Sequence, residues 1–242
     1  MNASVSADNS NNTIARSVSV IIAGCAATAI GYAIASSFGS PYPTPSELLN
    51  LGAAPTEEER AIAMSAKLAA DQGNAMVWLG IAGAILGSII AATISWFSHD
   101  GKSKLVLSVL AGAIFGAGAG CLSSYLSFPY HQSISTSTLI GSSGREHSTM
   151  IMHAMTWGII GLGVGAACGL SSGNSNMLKS VFTSMLVAGV MGSLAGFVFP
   201  LVAAIAVPLA DTSLPLPPEG AGRCLWLGLA SVFMAGGLSR AS

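Results

Sequence analysis

The sequence predicts an all-α, polytopic integral membrane protein: a helical bundle of about six transmembrane helices with a duplicated Gly-rich hairpin. Composition is the first reason, because 52% of the 242 residues are apolar and only 8% are charged, whereas soluble domains carry about 25% charged residues. The second reason is that the charges lie in short stretches between long apolar runs. The third is a Gly spacing that recurs in two pairs of those runs.

Six apolar runs fit membrane spans, since a helix needs about 20 residues to cross about 30 Å of hydrocarbon. The predicted spans are residues 18–38, 75–97, 105–128, 149–171, 181–199 and 224–239. They form a membrane domain over 18–239, preceded by a polar N-terminal tail at 1–17. The last run lies between Arg223 and Arg240, whose side chains we expect to reach outward to water.

Two of the runs have features that modify the simple prediction. Pro200 and Pro208 are expected to kink or end the fifth run, because proline lacks a backbone N–H. The first run contains Ala33-Ile34-Ala35 near its end, a pattern similar to a small-residue cleavage site, so it has an alternative interpretation as a signal peptide. The run is long for the apolar region of a signal peptide, which favours a transmembrane span.

The connection at residues 39–74 is predicted to be an outer-face loop that contains a helix. Thr56 followed by Glu59 has the spacing of a capping box, and Glu57 and Glu58 place further negative charge in the first turn. Apolar residues then recur at helical spacing. We interpret this segment as a surface helix resting on the bundle or on lipid headgroups.

Orientation follows from the shortest connector, His99–Lys104, in which Lys102 and Lys104 favour the cytoplasmic side. The sequence therefore predicts a plasma or inner membrane protein with both termini cytoplasmic. Tryptophans near span ends are predicted to form interfacial belts. They are Trp78, Trp96, Trp157 and Trp226.

Glycine spacing indicates an internal repeat. A shift of 78 residues superposes the glycines of the second span on those of the fourth, and a shift of 76 relates the third span to the fifth. A Trp-Leu-Gly motif at Trp226 repeats the one at Trp78, which suggests a third hairpin split between the chain ends. The predicted helix-packing residues are Gly80, Gly83, Gly87, Gly112, Gly116, Gly120, Gly158, Gly161, Gly165, Gly189, Gly192 and Gly196.

Small residues let membrane helices approach closely. The predicted partners are therefore the lipid bilayer and either a second copy of the chain or other membrane helices; the net charge of −1 provides no basic surface for nucleic acid. The segments 113–120 and 188–196 resemble glycine-zipper membrane hairpins. The glycine-rich helices also resemble the channel subunits of the mitochondrial inner-membrane protein translocases. That family's Arg and Asp signature is not recognisable here, so the resemblance implies no activity.

One cluster near the start of the fourth span has the chemistry of Cu(I) ligands, because thioethers and imidazoles are soft donors. Its members are His147, Met150, Met152, His153 and Met155. Methionine is also an ordinary filler of apolar helices, and only two or three of these side chains can share one helical face. We favour packing and predict no cofactor and no metal.

The function classes that remain are non-catalytic. No predicted span contains Asp, Glu, Lys or Arg, which argues against a carboxylate-driven transporter. No Gly-x-Ser-x-Gly motif occurs, and we predict that the chain is not an enzyme. The first prediction is a passive permeation or small-solute transport component; the alternative is a structural or assembly subunit that packs through glycine faces. A polar stripe along a cavity between helices would favour permeation.

Overall fold

The computed structural model describes residues 3–44, 46, 55–98, 101–136, 142–172, 175–218 and 220–241. Within these residues six long helices follow one another: α1 (Ala3–Ser37), α2 (Glu57–Trp96), α3 (Gly101–Thr136), α4 (Ser142–Ser171), α5 (Met177–Ala206) and α6 (Ala221–Ala241). All are long and apolar enough to cross a membrane. The described residues contain no strand, so the chain is all-helical, and its six apolar helices support the predicted integral membrane protein.

The second helix begins much earlier than the second predicted span. The capping box is present: the Thr56 N–H donates to Glu59 Oε2 at 2.7 Å, and the Glu59 N–H donates to Thr56 Oγ1 at 3.2 Å. From there α2 runs unbroken to Trp96, because residues 57–72 contain neither Gly nor Pro to end it. The helix expected on the surface is therefore the first half of α2.

The end of α5 and the start of α1 can be compared with the bounds that proline and polar residues predict. The predicted fifth span stops at residue 199, but α5 passes through Pro200 and ends at Ala206, shortly before Pro208, which lacks the N–H that a continuing helix needs. α1 starts at Ala3, so part of the predicted polar tail is helical. The connector at residues 99–100 and the side chain of Lys102, which predict the orientation, lie outside the described residues.

The helices close into a ring of alternating inner and outer members. Each helix packs against the next one in sequence, and α1 packs against α6. At least 50% of the residues in the spanning windows of α2, α4 and α6 are buried, against at most 39% in those of α1, α3 and α5. The even-numbered helices therefore form the interior. One side of the bundle, here called the long-loop side, carries the connections that follow α1, α3 and α5.

Glycines set the separation of α2 and α3. A Cβ added at Gly83 would overlap the carbonyl of Gly116, and one added at Gly87 would overlap that of Gly112. Ser88 supplies a cross-link, because its hydroxyl donates to the Val109 carbonyl at 2.9 Å. The two backbones are thus in direct contact, as small-residue packing requires.

The α4–α5 pair uses the same kind of contact. Nine of the twelve predicted packing glycines face the backbone of the neighbouring helix in their hairpin: Gly83, Gly87, Gly112, Gly116, Gly120, Gly161, Gly165, Gly192 and Gly196. The other three, Gly80, Gly158 and Gly189, first meet side-chain atoms. Close packing also occurs at Gly24, Gly163 and Gly169, which the hairpin superposition does not identify.

In the α4–α5 hairpin, α5 lies one helical turn away from the position relative to α4 that the sequence superposition implies. That superposition places Gly192 in the position of Gly116, opposite Gly161. In the structure Gly161 packs against Ala188, and Gly192 packs against Trp157. Ala188 and Gly192 are four residues apart, about one turn. Because alanine also permits close approach, α5 adopts this register without losing backbone contact.

Candidate functional site

Three tryptophans from the three inner helices meet in the interior near the long-loop side. Trp226 of α6 lies 4.8 Å from Trp157 of α4 and 6.4 Å from Trp78 of α2, measured between ring centroids. All three are at most 4% exposed. The prediction that they form interfacial belts is therefore wrong for these three, whereas Trp96 is exposed. Their shared Trp-Gly or Trp-Leu-Gly motif was the signal that could have identified the cluster.

His153 connects this aromatic cluster to the chain between α5 and α6. Its Nδ1 accepts a hydrogen bond from Trp226 Nε1 at 3.1 Å, and its Nε2 lies 2.8 Å from the Thr212 carbonyl. An indole nitrogen only donates and a carbonyl only accepts, so this arrangement assigns the neutral tautomer with hydrogen on Nε2. Phe199 packs edge-on at 5.0 Å. Both ring nitrogens are therefore engaged within the fold.

Arg223 turns inward at the start of α6. It is 8% exposed; its Nε donates to the Pro217 carbonyl at 2.7 Å, and its guanidinium carbon lies 5.1 Å from the centroid of the Trp78 ring. The expectation that it reaches out to water is wrong. A carbonyl and an aromatic face together supply the electrostatic partners that a buried guanidinium needs.

The α5–α6 connection, residues 207–220, is held at several points along its described part. Beyond its contacts to His153 and Arg223, the Gly220 N–H donates to the Tyr32 hydroxyl at 3.1 Å. Gly220 adopts φ +108, which a residue with a Cβ rarely tolerates. At Asp211, hydrogen bonds from the Ser213 hydroxyl and N–H keep the pKa of the carboxyl below its ordinary value. This connection closes the bundle on the long-loop side.

The candidate copper ligands point in different directions from α4. His153 and Met152 are buried, and both nitrogens of His153 have partners. Met150 lines a crevice at the long-loop end, whereas Met155 lines a separate groove on the outside of the bundle. His147 is exposed on the first turns of the helix. Among the described residues no group of three His, Cys, Asp or Glu side chains is placed to hold a metal ion.

The three cavities described lie on the outside of the bundle. A groove of about 530 Å³ and a crevice of about 500 Å³ follow α4 and α5, and a smaller pocket of about 190 Å³ lies between α2 and α3. None of these three lies among the inner helices. The described interior near the long-loop side is instead filled by the aromatic cluster.

Comparison with known proteins finds no matching family model, no matching curated protein and no matching solved structure.

Proposed function

We propose that this chain is a non-catalytic structural subunit of a membrane assembly, which packs against other membrane helices through its outer surface. The observation that carries the proposal is the filled interior. Trp78, Trp157 and Trp226 close the space where the three inner helices meet. A bundle held together at its centre is suited to presenting fixed outer faces to partners.

The buried hydroxyl groups support the same choice over permeation. Thr156, Ser171 and Ser231 each donate to a carbonyl four residues earlier in their own helix. A hydroxyl satisfied in this way does not offer its proton to a passing solute. The inner helices therefore supply no continuous polar stripe among these residues, and the passive permeation component is the second candidate.

The face proposed to pack against a partner is on α3, the least buried helix. Gly112, Gly116 and Gly120 of this helix pack against α2, but Gly118 has no atom within 4 Å of an added Cβ. Its neighbours on that face, Ile114 and Leu122, are exposed. An open glycine between large apolar side chains leaves a notch that a second helix can enter closely.

The first prediction concerns Gly118→Leu, which should leave the folded monomer intact and weaken assembly about tenfold. The reason is that a Cβ at this position has no atom of the chain within 4 Å, whereas the leucine side chain fills the notch. The measurement is the oligomer or complex distribution by native mass spectrometry in mild detergent. Gly236→Leu is the matched control, since an added Cβ at Gly236 also meets nothing within 4 Å.

Two results would contradict the proposal. One is an assembly state that Gly118→Leu leaves unchanged. The other is leakage of glycerol or K⁺ from liposomes that contain the purified protein. The proposal predicts that these liposomes release both solutes no faster than empty liposomes. If the wild type released these solutes and Ser231→Leu abolished the release, the permeation candidate would be established instead, because Ser231 is buried on an inner helix.

We also propose that the fold arose from repeated hairpins. The support is that Trp78, Trp157 and Trp226, which begin equivalent motifs, come together from alternate helices of a closed ring. In this arrangement α2–α3, α4–α5 and α6–α1 are the three hairpins, the last one split between the chain ends.

The second prediction concerns orientation, proposed as both termini cytoplasmic in a plasma or inner membrane. A Ser103→Cys variant without the four native cysteines should resist a membrane-impermeant maleimide in intact cells and react after permeabilisation, because the connector with Lys102 and Lys104 favours the cytoplasm. Labelling of intact cells would reverse the orientation.

A further inference from the structure

Two cavities adjoin along α4 and α5. The first, here called the apolar groove, is lined by apolar and small side chains that include Ala154, Gly158, Leu162, Gly189 and Phe197. The second, here called the polar crevice, is lined by Arg145, Glu146, Met150, Leu201, Thr212 and Ser213, among others. One cavity is thus almost wholly apolar, and the other carries both a cation and a carboxylate.

Helical spacing places the two cavities end to end along the same faces of α4 and α5, and together they are here called the cleft. On α4, Met150 of the polar crevice lies one turn from Ala154 of the apolar groove, and Gly158 follows one turn later. On α5, Leu201 of the crevice lies one turn from Phe197 of the groove. Each helix therefore presents an unbroken row of side chains to both cavities.

The depth of each part matches a different layer of a bilayer. The candidate membrane span of α4 runs from Gly144 to Ser171, so its middle is close to Gly158. At 1.5 Å per residue, Arg145 lies about 19 Å from that centre, beyond the hydrocarbon half-thickness of about 15 Å. The apolar groove, from Ala154 to Leu162, covers about 12 Å near the centre.

The polar crevice has the charges that a zwitterionic lipid headgroup would meet. A guanidinium such as that of Arg145 binds phosphate through paired hydrogen bonds. A carboxylate such as that of Glu146 accepts hydrogen bonds from a primary ammonium. The groove has a volume of about 530 Å³ and is lined mostly by apolar side chains such as Leu162, Leu194 and Phe197, beside which an acyl chain can lie.

We propose that this cleft binds one glycerophospholipid with a primary-ammonium headgroup, taken from the leaflet on the long-loop side. Its phosphate would lie at Arg145, its ammonium at Glu146, and one acyl chain in the apolar groove. Acyl chains gain little by exchanging lipid neighbours for apolar side chains, so the headgroup contacts supply the selectivity. The inference does not depend on the proposed structural role.

A lipid fits the cleft better than a partner helix does. A transmembrane helix packs along much of the roughly 30 Å hydrocarbon layer, whereas the apolar groove extends over about 12 Å of α4. A helix in the cleft would also cover Arg145 and Glu146, which are exposed. Covering charged groups without matching charges is unfavourable.

Native mass spectrometry of the full chain from mixed micelles tests the proposal, with phosphatidylethanolamine and phosphatidylglycerol as probes. The wild type should retain one copy of either probe, and phosphatidylethanolamine should persist to higher collision energies than phosphatidylglycerol. Arg145→Gln should weaken retention of both probes about tenfold, since both contain phosphate. Glu146→Gln should weaken only phosphatidylethanolamine, because phosphatidylglycerol has no ammonium.

Ala154→Phe, which fills the groove, should displace both lipids, and Ile22→Phe on the exposed face of α1 is the control for a bulky substitution facing lipid. Should Ala154→Phe not fold, the two exposed charge variants decide the question. The proposal fails if the wild type retains no lipid, or if Arg145→Gln and Glu146→Gln retain both lipids as the wild type does. It also fails if the cleft variants instead abolish a dimer, because the occupant would then be a second copy of the chain.

Discussion

Gly116→Leu is expected to prevent accumulation of the folded bundle. A Cβ at Gly116 would overlap the carbonyl group of Gly83, which is backbone and has no alternative rotamer. Overpacking of a well-packed core already costs about 1–3 kcal/mol when side chains can move; here α2 and α3 must separate, so we expect a loss above about 3 kcal/mol. Yield and thermal stability in detergent, followed by size-exclusion chromatography, measure the effect.

The same helix provides a control for this result. Gly118→Leu adds the same side chain two residues away, where nothing lies within 4 Å, and should preserve yield and thermal stability. In the second hairpin, Gly192→Leu should behave like Gly116→Leu, because its Cβ would overlap the Trp157 carbonyl. If both variants express and migrate as the wild type does, close glycine packing does not hold these helices together.

The second large effect is expected for His153→Leu. Leucine fills a similar volume but leaves Trp226 Nε1 without its acceptor and the Thr212 carbonyl without its partner. An unsatisfied buried polar group costs about 1–3 kcal/mol, and we expect a loss of about 2–4 kcal/mol. The α5–α6 connection should also loosen, which hydrogen–deuterium exchange over residues 207–218 measures.

Two further variants test whether His153 acts through its hydrogen bonds to Trp226 and Thr212 or only by filling space. His153→Gln keeps both a donor and an acceptor in its amide and should recover part of the lost stability. Ile151→Ala, at an exposed position on the same helix, should leave thermal stability and exchange unchanged. An unaltered exchange rate over residues 207–218 in His153→Leu would show that this connection is held without the histidine.

Several features of the chain could be predicted from local sequence. The six apolar runs correspond to six helices, because the cost of placing unpaired backbone groups in hydrocarbon depends mainly on composition over about 20 residues. The capping box at Thr56 and the helix end before Pro208 were also readable, since both depend on neighbouring residues only. Spacing also pointed to nine glycines whose added Cβ would meet the backbone of the neighbouring helix, but not to Gly24, Gly163 or Gly169.

What the sequence determined by itself was therefore the class of the protein and the residues able to pack closely. Only the tertiary structure decided which faces meet: the inward positions of Trp226 and Arg223, the link from His153 to Thr212, and the one-turn register of α5. The physical reason is that apolar side chains face lipid or other helices at nearly equal free energy. Hydropathy therefore does not distinguish a face in the bundle interior from one that contacts lipid. Shape complementarity and hydrogen bonds between residues distant in sequence determine which faces are buried.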